Sequence, residues 1–304
     1  MEQYVTPFMG YLADHKRLSA ATLECYQRDV EQFIDYLQGR EITEPGQITK
    51  AGVKLYFSAL GKAGKAPATI ARSSVSLRAF FQYLQGERLL EQDSGDWIDS
   101  PKIDKPSPQV LTVEEVDLLL DMPKPSHASG LRDKAMLELL YATGIRVSEL
   151  IALNVQDVDT SMRYVRCSGG KERIIPMGAV TADWIHKYLA ESRQLLLGQS
   201  AAEVLFPNAR GERLTRQGFW KIVKKYGKEA GIDADITPHT LRHSFAVHLL
   251  EGGADVKSVQ EMLGHADMVT VQMYLSKTKP NLKSVYEAFH PRAQSQLPKS
   301  SAAE

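Results

Sequence analysis

The chain has 304 residues, of which 43% are hydrophobic, and its 37 basic and 37 acidic residues give a net charge of zero. This length and apolar content suffice for two domains, each with its own core. A neutral balance excludes a protein that is basic throughout, so nucleic-acid binding would need a local cluster of positive charge. The N-terminus has no basic region followed by an apolar run, and no apolar stretch is long enough to cross a membrane, so we expect a cytoplasmic protein.

Residues 1–98 are predicted to form an all-helical domain. Ser19 can cap a helix that ends at Gly39, because a serine hydroxyl accepts hydrogen bonds from the unpaired amides of a helix start. The apolar residues of this helix recur at helical spacing: Leu23, Tyr26, Val30, Phe33, Ile34 and Leu37. The same periodicity predicts helices over residues 49–60 and 67–85.

A linker is predicted over residues 99–109, since proline prevents a continuous helix and favours an extended chain. This segment contains three prolines, Pro101, Pro106 and Pro108. A second domain is predicted over residues 110–304. It begins with a capped helix after Leu111 and continues with an apolar helix over residues 131–141, which ends at Gly144.

Strand-like segments interrupt the helical pattern of the second domain. Residues 164–167 and 173–176 are short apolar runs separated by Ser168-Gly169-Gly170, a spacing that predicts a β-hairpin. Helical periodicity returns from Ala179 onwards. The predicted fold class is therefore mainly α with a small β-hairpin in the C-terminal domain, built as a helical domain followed by a mixed α/β domain.

Positive charge is concentrated in one part of the second domain. The basic residues of this segment are Arg210, Arg213, Arg216, Lys221, Lys224, Lys225 and Lys228, and Phe219, Trp220 and Tyr226 lie between them. Only one acid, Glu212, accompanies them. We predict that the segment lies on a helix and contacts DNA, and the alternative is an ordinary solvated helix face.

Thr237-Pro238 predicts the start of a helix, because threonine caps a helix and proline suits its first turn. Leu241, Phe245 and Leu249 fall on one side of this helix, and His239, Arg242 and Ala246 fall on the opposite side. Two cationic donors that share a face could bind a phosphate together. The alternative for His239 is a core histidine satisfied by a backbone carbonyl.

Further candidates lie elsewhere in the chain. Arg146 follows the glycine that ends the apolar helix, and a second arginine is chemically sensible at a phosphate, although Arg146 could equally pair with Glu149 on the surface. Lys171 in the hairpin turn could protonate a leaving oxygen, unless it is only a solubilising residue. His265 could help to hold the phosphate charge, and Tyr274 could be the attacking nucleophile.

These motifs resemble, in order and spacing, those of the tyrosine recombinases, and most closely the Xer recombinases of the XerD type. The similar segments are residues 142–150, 239–255, 259–265 and 270–274. The resemblance implies six catalytic residues: Arg146, Lys171, His239, Arg242, His265 and Tyr274. It also implies an N-terminal helical core-binding domain and a C-terminal catalytic domain that together clamp duplex DNA. One departure is the hairpin, which usually reads Gly-Lys-Gly-x-Lys-x-Arg but here is the shorter Ser168-Gly-Gly-Lys-Glu-Arg173.

The resemblance implies a DNA recombinase that cuts and rejoins strands through a 3′-phosphotyrosyl intermediate without a metal or another cofactor. The expected role is resolution of chromosome dimers at a dif-type site, with a XerC-like paralogue in a heterotetramer or as a homotetramer, under the control of an FtsK-type translocase. The alternatives are an integrase or resolvase of a mobile element, a type IB topoisomerase, and an architectural DNA-binding protein.

A metal-binding protein is an alternative from a different class. His239, His243 and His248 could be ligands, but their spacing places His248 away from the other two and neither a carboxylate nor a cysteine completes the set. The two cysteines, Cys25 and Cys167, lack metal-ligand spacing, and we expect them to be reduced structural thiols.

Overall fold

The computed structural model describes residues 1–90, 97–98, 109–168, 172–200 and 202–264. The chain divides into two compact units, Met1–Pro106 and Ser107–Glu304. The domain limits predicted from the sequence, 1–98 and 110–304, stay predictions, because residues 99–108 of the predicted linker lie outside the described ranges.

The described part of the N-terminal unit is helical, in agreement with the predicted fold class. Its helices are α1 Val5–Lys16, α2 Ala20–Gln38, α3 Lys50–Lys62 and α4 Pro67–Gly86, with short 3-10 turns at Glu2–Tyr4 and Pro45–Gln47. The Ser19 hydroxyl accepts the amide of Thr22 at 3.3 Å, and the Thr49 hydroxyl accepts the amide of Gly52 at 3.1 Å. These bonds satisfy amides that a helix start leaves unpaired, so α2 begins directly after Ser19 and α3 directly after Thr49.

Aromatic rings fill the core between these helices. The ring centroids of Phe8 and Phe80 lie 5.1 Å apart, and those of Phe33 and Tyr56 lie 5.0 Å apart with the edge of one ring against the other. Such tilted pairs are favourable because the positive ring edge meets the negative ring face. The apolar positions predicted for α2 are thus the ones that build this core.

The described part of the C-terminal unit combines helices with one small sheet. Its helices are α5 Val113–Asp121, α6 Ala128–Thr143, α7 Val147–Ala152, α8 Ala179–Glu191, α9 Arg193–Leu197, α10 Arg216–Glu229, α11 Pro238–Glu251 and α12 Val256–Leu263, with a 3-10 turn at Val155–Asp157. The strands are β1 Val158–Asp159, β2 Tyr164–Cys167 and β3 Arg173–Pro176.

The three strands form an antiparallel sheet in the order β1-β2-β3. The predicted hairpin is confirmed, since Val165 pairs with Ile175 and Cys167 with Arg173. Strand β1 was not predicted, because two residues are too few to show an alternating pattern. The inner face of the hairpin is buried, whereas Ile174 on the outer face is 64% exposed. The turn at residues 169–171 lies outside the described ranges.

Helix α6 runs through the centre of the C-terminal unit and is buried on all sides. It ends at Gly144, whose φ of 58° is a left-handed conformation that glycine adopts without strain. The ring of Phe245 from α11 occupies the place where a Cβ of residue 144 would lie. Gly144 therefore lets α11 approach the end of α6 closely. Within the described ranges, no helix has the length and apolar content needed to cross a membrane.

Candidate active site

Arg146 stands at the start of α7, where Glu149 holds it. The backbone amide of Arg146 donates to Oε2 of Glu149 at 2.7 Å, and its Nη1 lies 3.2 Å from Oε1 of the same carboxylate. The pairing with Glu149 that the sequence left open is therefore present. This pairing leaves Arg146 partly exposed to solvent: 29% of the arginine side chain is exposed, compared with 2% of the Glu149 side chain.

Arg173, the first residue of β3, binds the same carboxylate with both terminal nitrogens of its guanidinium. Its Nη1 and Nη2 each lie 2.8 Å from one oxygen of Glu149, the two-pronged geometry that an arginine fork favours. Burial would raise the pKa of Glu149, but the hydrogen bonds from Arg173 and from the Arg146 amide outweigh it, and the pKa is lowered. Glu149 is therefore ionised at neutral pH and balances one of two neighbouring guanidinium charges.

Arg242 lies on α11 and is buried, with 4% of its surface exposed. Its Nη1 donates to the carbonyl of Gly144 at the end of α6, and its Nη2 donates to the carbonyl of Leu263 at 2.8 Å. The close approach of α11 to Gly144 makes the first of these bonds possible. Arg242 thus links the ends of two helices that come from distant parts of the chain.

The predicted faces of α11 need a correction. Ala246, predicted to lie away from the apolar side, packs in one apolar cluster with Phe245, Val259 and Leu263. The helix is buried on most sides, so periodicity cannot separate a polar face from an apolar one. His239 in the first turn is exposed, unlike Arg242, and its ring centroid lies 6.4 Å from that of His243.

The three arginines meet at the C-terminal end of α12. Nε of Arg173 donates to the carbonyl of Met262 at 2.7 Å. Nη2 of Arg242 donates to the next carbonyl, Leu263, and Nη2 of Arg146 donates to the one after it, Gly264, at 2.9 Å. The last carbonyls of a helix have no partner within the helix and carry the negative end of its dipole, so three cations there are stabilising. We call Arg146, Arg173 and Arg242 the arginine cluster.

Gly264 lets the cluster close around this helix end. Its φ is +72°, and a Cβ at this position would lie 3.2 Å from Cζ of Arg173 and 3.4 Å from Nη1 of Arg146. The next residue in the chain is His265. The described structure therefore gathers guanidinium charge directly before a predicted catalytic histidine.

Three of the six predicted catalytic residues, Lys171, His265 and Tyr274, lie outside the described residues, and their roles stay predictions. Among the other three, Arg146 and Arg242 belong to the arginine cluster. Arg173 and Glu149 were not predicted as part of the site. The signal for Arg173 was a charged residue opening an otherwise apolar strand, and it becomes meaningful only once the strand is seen beside α7 and α12.

The basic segment is only partly helical, which corrects its prediction as one helix. Helix α10 begins at Arg216, capped by Thr215, whereas Arg210 and Arg213 precede it. The Arg213 guanidinium donates to the carbonyls of Ile151 at 2.7 Å and Leu153 at 3.2 Å, which fastens this loop to the end of α7.

On α10 the aromatic residues divide between core and surface. Phe219 and Tyr226 are buried, whereas Trp220 is 44% exposed. Lys224 forms an ion pair with Asp235, and its Nζ lies 5.2 Å from the centre of the Trp220 ring. The exposed basic residues are Arg210, Arg213, Arg216, Lys221, Lys225 and Lys228.

His248 does not fit the metal-binding alternative. Its Nε2 lies 3.0 Å from the carbonyl of Leu111, which only accepts, so Nε2 carries the proton and donates. Its Nδ1 then accepts from the Tyr141 hydroxyl at 2.8 Å. The two ring nitrogens thus link α11 to α6 and to Leu111, which lies two residues before α5. Of the cysteines, Cys167 is buried, and burial raises the pKa of its thiol to about 11, so it is protonated at neutral pH.

The lowered pKa of Glu149 predicts a pH-dependent contribution to stability. A carboxylate with a depressed pKa stabilises the fold above its ordinary pKa of 4.5 and loses that contribution as the pH falls through the folded-state value. A Glu149→Gln variant should be less stable than the wild type at neutral pH by about 3–5 kcal/mol, since it breaks a buried ion pair. The difference should shrink below pH 4.5.

Urea unfolding of both proteins at several pH values measures this difference in the free energy of unfolding. Glu203→Gln is the matched control, because that side chain is exposed and should leave stability unchanged. A Glu149→Gln defect of constant size from neutral to acidic pH would show that the carboxylate acts through packing and not through its charge.

Comparison with known proteins agrees with this architecture. Residues 109–280 match a family model described as "Phage integrase family", and residues 5–88 match one described as "Phage integrase, N-terminal SAM-like domain". The tyrosine recombinase XerD of Halalkalibacterium halodurans is 46% identical over 94% of this chain and 97% of its own length. The tyrosine recombinase XerC of Roseiflexus castenholzii is also 46% identical, over 90% of this chain and 88% of its own length.

Solved structures share the fold. A lambda integrase fragment bound to a core site has a TM-score of 0.71 at 19% identity and covers 92% of this chain and 96% of its own. XerH recombinase bound to a palindromic difH substrate has a TM-score of 0.69 at 20% identity, with 93% of this chain and 84% of its own covered. At such identities the likeness shows the fold alone.

The fold and these matches define the class of the protein, an enzyme that cuts and rejoins DNA by transesterification. Within that class the chain belongs to the phage integrase family, the tyrosine site-specific recombinases. The family membership predicted from the motifs is thus confirmed.

Proposed function

We propose that this recombinase resolves chromosome dimers at a dif-type site. The observation that carries the proposal is the near-complete match to proteins named tyrosine recombinase XerD, at 46% identity over 94% of the chain. A structural neighbour of the same fold is bound to a difH substrate. The enzyme acts on chromosomal DNA in the cytoplasm.

The chemistry begins with the Tyr274 hydroxyl, which attacks a DNA phosphate in line and leaves a 3′-phosphotyrosyl link and a free 5′-hydroxyl. Arg146, Arg242 and His265 stabilise the charge that develops on the non-bridging oxygens. His239 accepts a proton or orients the phosphate, and Lys171 protonates the departing 5′-oxygen. The covalent intermediate keeps the energy of the phosphodiester, so a 5′-hydroxyl from another duplex can reverse the step and exchange strands.

The arginine cluster supports this chemistry through preorganisation. Guanidinium groups fixed by backbone carbonyls need no reorientation when charge appears on the phosphate, which is what makes such donors effective. An arginine presents five N–H donors, so one group can hold a carbonyl and a phosphate together. The exposed part of Arg146 offers the phosphate a point of access.

DNA contacts outside the active site come from the basic segment. We assign backbone contacts to the exposed residues Arg210, Arg216, Lys221 and Lys225, because phosphate neutralisation supplies most non-specific affinity. Arg213 and Lys224 were predicted as contacts too, but the first is bound to backbone carbonyls and the second to Asp235, so we assign them to holding α10 and its preceding loop in place. Local clustering reconciles DNA binding with a net charge of zero.

The partners follow from the same proposal. The enzyme assembles as a tetramer on two DNA sites, with a XerC-like paralogue or with copies of itself, and an FtsK-type translocase activates it. Among the structural neighbours, lambda integrase is seen as a tetramer on a Holliday junction.

The test is recombination in vitro between two duplexes that carry a dif-type site, with EDTA present and with and without the XerC-like paralogue. We expect exchange that requires both sites and no metal. Relaxation of supercoiled DNA that lacks such a site would point to a topoisomerase instead. Exchange confined to the ends of a mobile element would point to an integrase.

A further inference from the structure

Arg173 is the one member of the arginine cluster with no role in the proposed mechanism, yet its guanidinium lies closer to Glu149 than the guanidinium of Arg146 does. We infer that Arg173 is a positioning residue, which neutralises Glu149 and thereby leaves the charge of Arg146 for the phosphate. This inference rests on the proposed function, since it concerns the same phosphate. It adds a residue on β3 whose effect passes through Glu149 to Arg146.

The two guanidinium groups differ in how they contact Glu149. The Arg173 guanidinium binds both oxygens of Glu149 at 2.8 Å, whereas Nη1 of the Arg146 guanidinium lies 3.2 Å from Oε1. Two-pronged, charge-assisted bonds are the stronger kind. Of the two guanidinium groups, that of Arg173 therefore engages the carboxylate more strongly, and one carboxylate against two guanidinium groups leaves a net positive charge on the Arg146 side.

Glu149 is buried between the two arginines. The Glu149 side chain is 2% exposed, and an ionised carboxylate at that depth requires a cationic partner. If Arg173 were absent, the nearest guanidinium would be that of Arg146, and Glu149 would draw it into a two-pronged pair. That pair would cancel the charge of Arg146 and turn its nitrogens away from the phosphate. Arg173, with 11% of its side chain exposed, is placed to prevent this pairing.

A second contact gives Arg173 an additional effect on position. Its Nε donates to the Met262 carbonyl at 2.7 Å, which joins β3 to the end of α12. Lys171 precedes Arg173 by two residues in the chain, so an effect of losing Arg173 on Lys171 is the alternative to be separated. The experiment must therefore separate an effect on the phosphate charge from an effect on the leaving oxygen.

The experiment compares wild-type protein with Arg173→Met on three nicked duplexes that share one dif-type site. The scissile group is an ordinary phosphate, a methylphosphonate without negative charge, or a phosphate with a 5′-thio leaving group that needs no general acid. We expect Arg173→Met to form the covalent adduct on the ordinary phosphate about 100-fold more slowly than the wild type. We expect the methylphosphonate to remove most of this defect and the 5′-thio group to leave it in place.

Two further variants test the charge directly. Adding Glu149→Gln to Arg173→Met removes the carboxylate that would capture Arg146, so the double variant should cleave the ordinary phosphate faster than Arg173→Met alone. Arg173→Lys keeps the positive charge and provides a second test in case Arg173→Met does not fold. It should be slowed less than Arg173→Met.

Arg193→Met is the matched structural control. Arg193 is a half-buried arginine that donates to the carbonyls of Val204 and Ala202 at 3.0 and 2.8 Å, away from the arginine cluster. This variant should lose stability without any preference for the neutral phosphate.

Each other outcome overturns the inference. Rescue of Arg173→Met by the 5′-thio group alone would place its effect on the leaving oxygen, and rescue by neither substrate would reduce it to a structural residue. Adduct formation at the wild-type rate would leave Arg173 with no role in the reaction. If the wild-type protein itself formed no adduct on any duplex, the proposed function would fail first, and this inference with it.

Discussion

A Tyr274→Phe variant is expected to bind a dif-type duplex as tightly as the wild-type protein and to form no covalent adduct with it. The substitution removes a single oxygen, the atom that attacks the phosphate in the proposed mechanism, and leaves the ring in place. The arginine cluster and the basic segment are unchanged, so the contacts with DNA phosphates should persist. The measurement is a denaturant-resistant protein–DNA complex on a nicked duplex in the presence of EDTA, with binding followed separately by fluorescence anisotropy.

The chain offers a matched control for this variant. Tyr286 stands twelve residues further along the same C-terminal segment, and Tyr286→Phe should leave adduct formation unchanged. An adduct that survives in Tyr274→Phe but disappears in Tyr286→Phe would move the nucleophile to Tyr286. An adduct in both single variants would show that the Tyr274 hydroxyl is not required and would overturn its assignment as the nucleophile.

The features that the sequence predicts well are local ones. A cap such as Ser19 or Thr237 and the periodic residues after it lie within one segment, so the bounds of α2 and α11 follow from a few neighbouring residues. The hairpin follows from two short apolar runs around a glycine pair. The motifs around Arg146 and Arg242 were recognised by their resemblance to a family. That resemblance predicted that both residues belong to one site, but it did not predict the contacts that they make there.

What the sequence could not predict depends on contacts between distant segments. Arg146 directly precedes α7, whereas Arg173 lies on β3 and Arg242 on α11. The three meet because α12 ends between them. Glu149 looked like a surface partner for Arg146, since nothing in its own segment shows that it is buried against a second arginine. The burial of Arg242 was missed for the same reason, because α11 is covered on several sides and a helical period assumes one covered side.

The arginine cluster also explains how a buried cationic site is tolerated in this fold. Burying a guanidinium without partners is costly, and surface water is not available to Arg242. The carbonyls of Gly144 and Leu263 supply partners that those helix ends would otherwise leave unsatisfied. The helix ends and the arginines thus satisfy each other, and the charge is held at the place where the proposed mechanism puts the phosphate.

An Arg242→Lys variant tests whether the geometry of this guanidinium matters beyond its charge. An ammonium is a compact point charge, so it cannot span the Gly144 and Leu263 carbonyls and a phosphate at once. We expect adduct formation to fall by about 100- to 1,000-fold, the usual loss when one preorganised donor to a transition-state oxyanion is removed. DNA binding should be retained. The free energy of unfolding should fall by about 1–3 kcal/mol, because one buried carbonyl loses its donor.

Arg132→Lys separates a catalytic loss from a loss of stability. Arg132 is another buried arginine of the same unit, 7% exposed, and it donates to the Pro207 carbonyl at 2.9 Å and to Asp133. We expect this control to be destabilised to a similar extent in urea unfolding and to form the adduct at the wild-type rate at a temperature where both variants are folded. If both variants lost adduct formation in proportion to their stability, Arg242 would be a packing residue. If only Arg242→Lys loses adduct formation, the Arg242 guanidinium, which joins α6 to α12, acts in the chemistry at the phosphate.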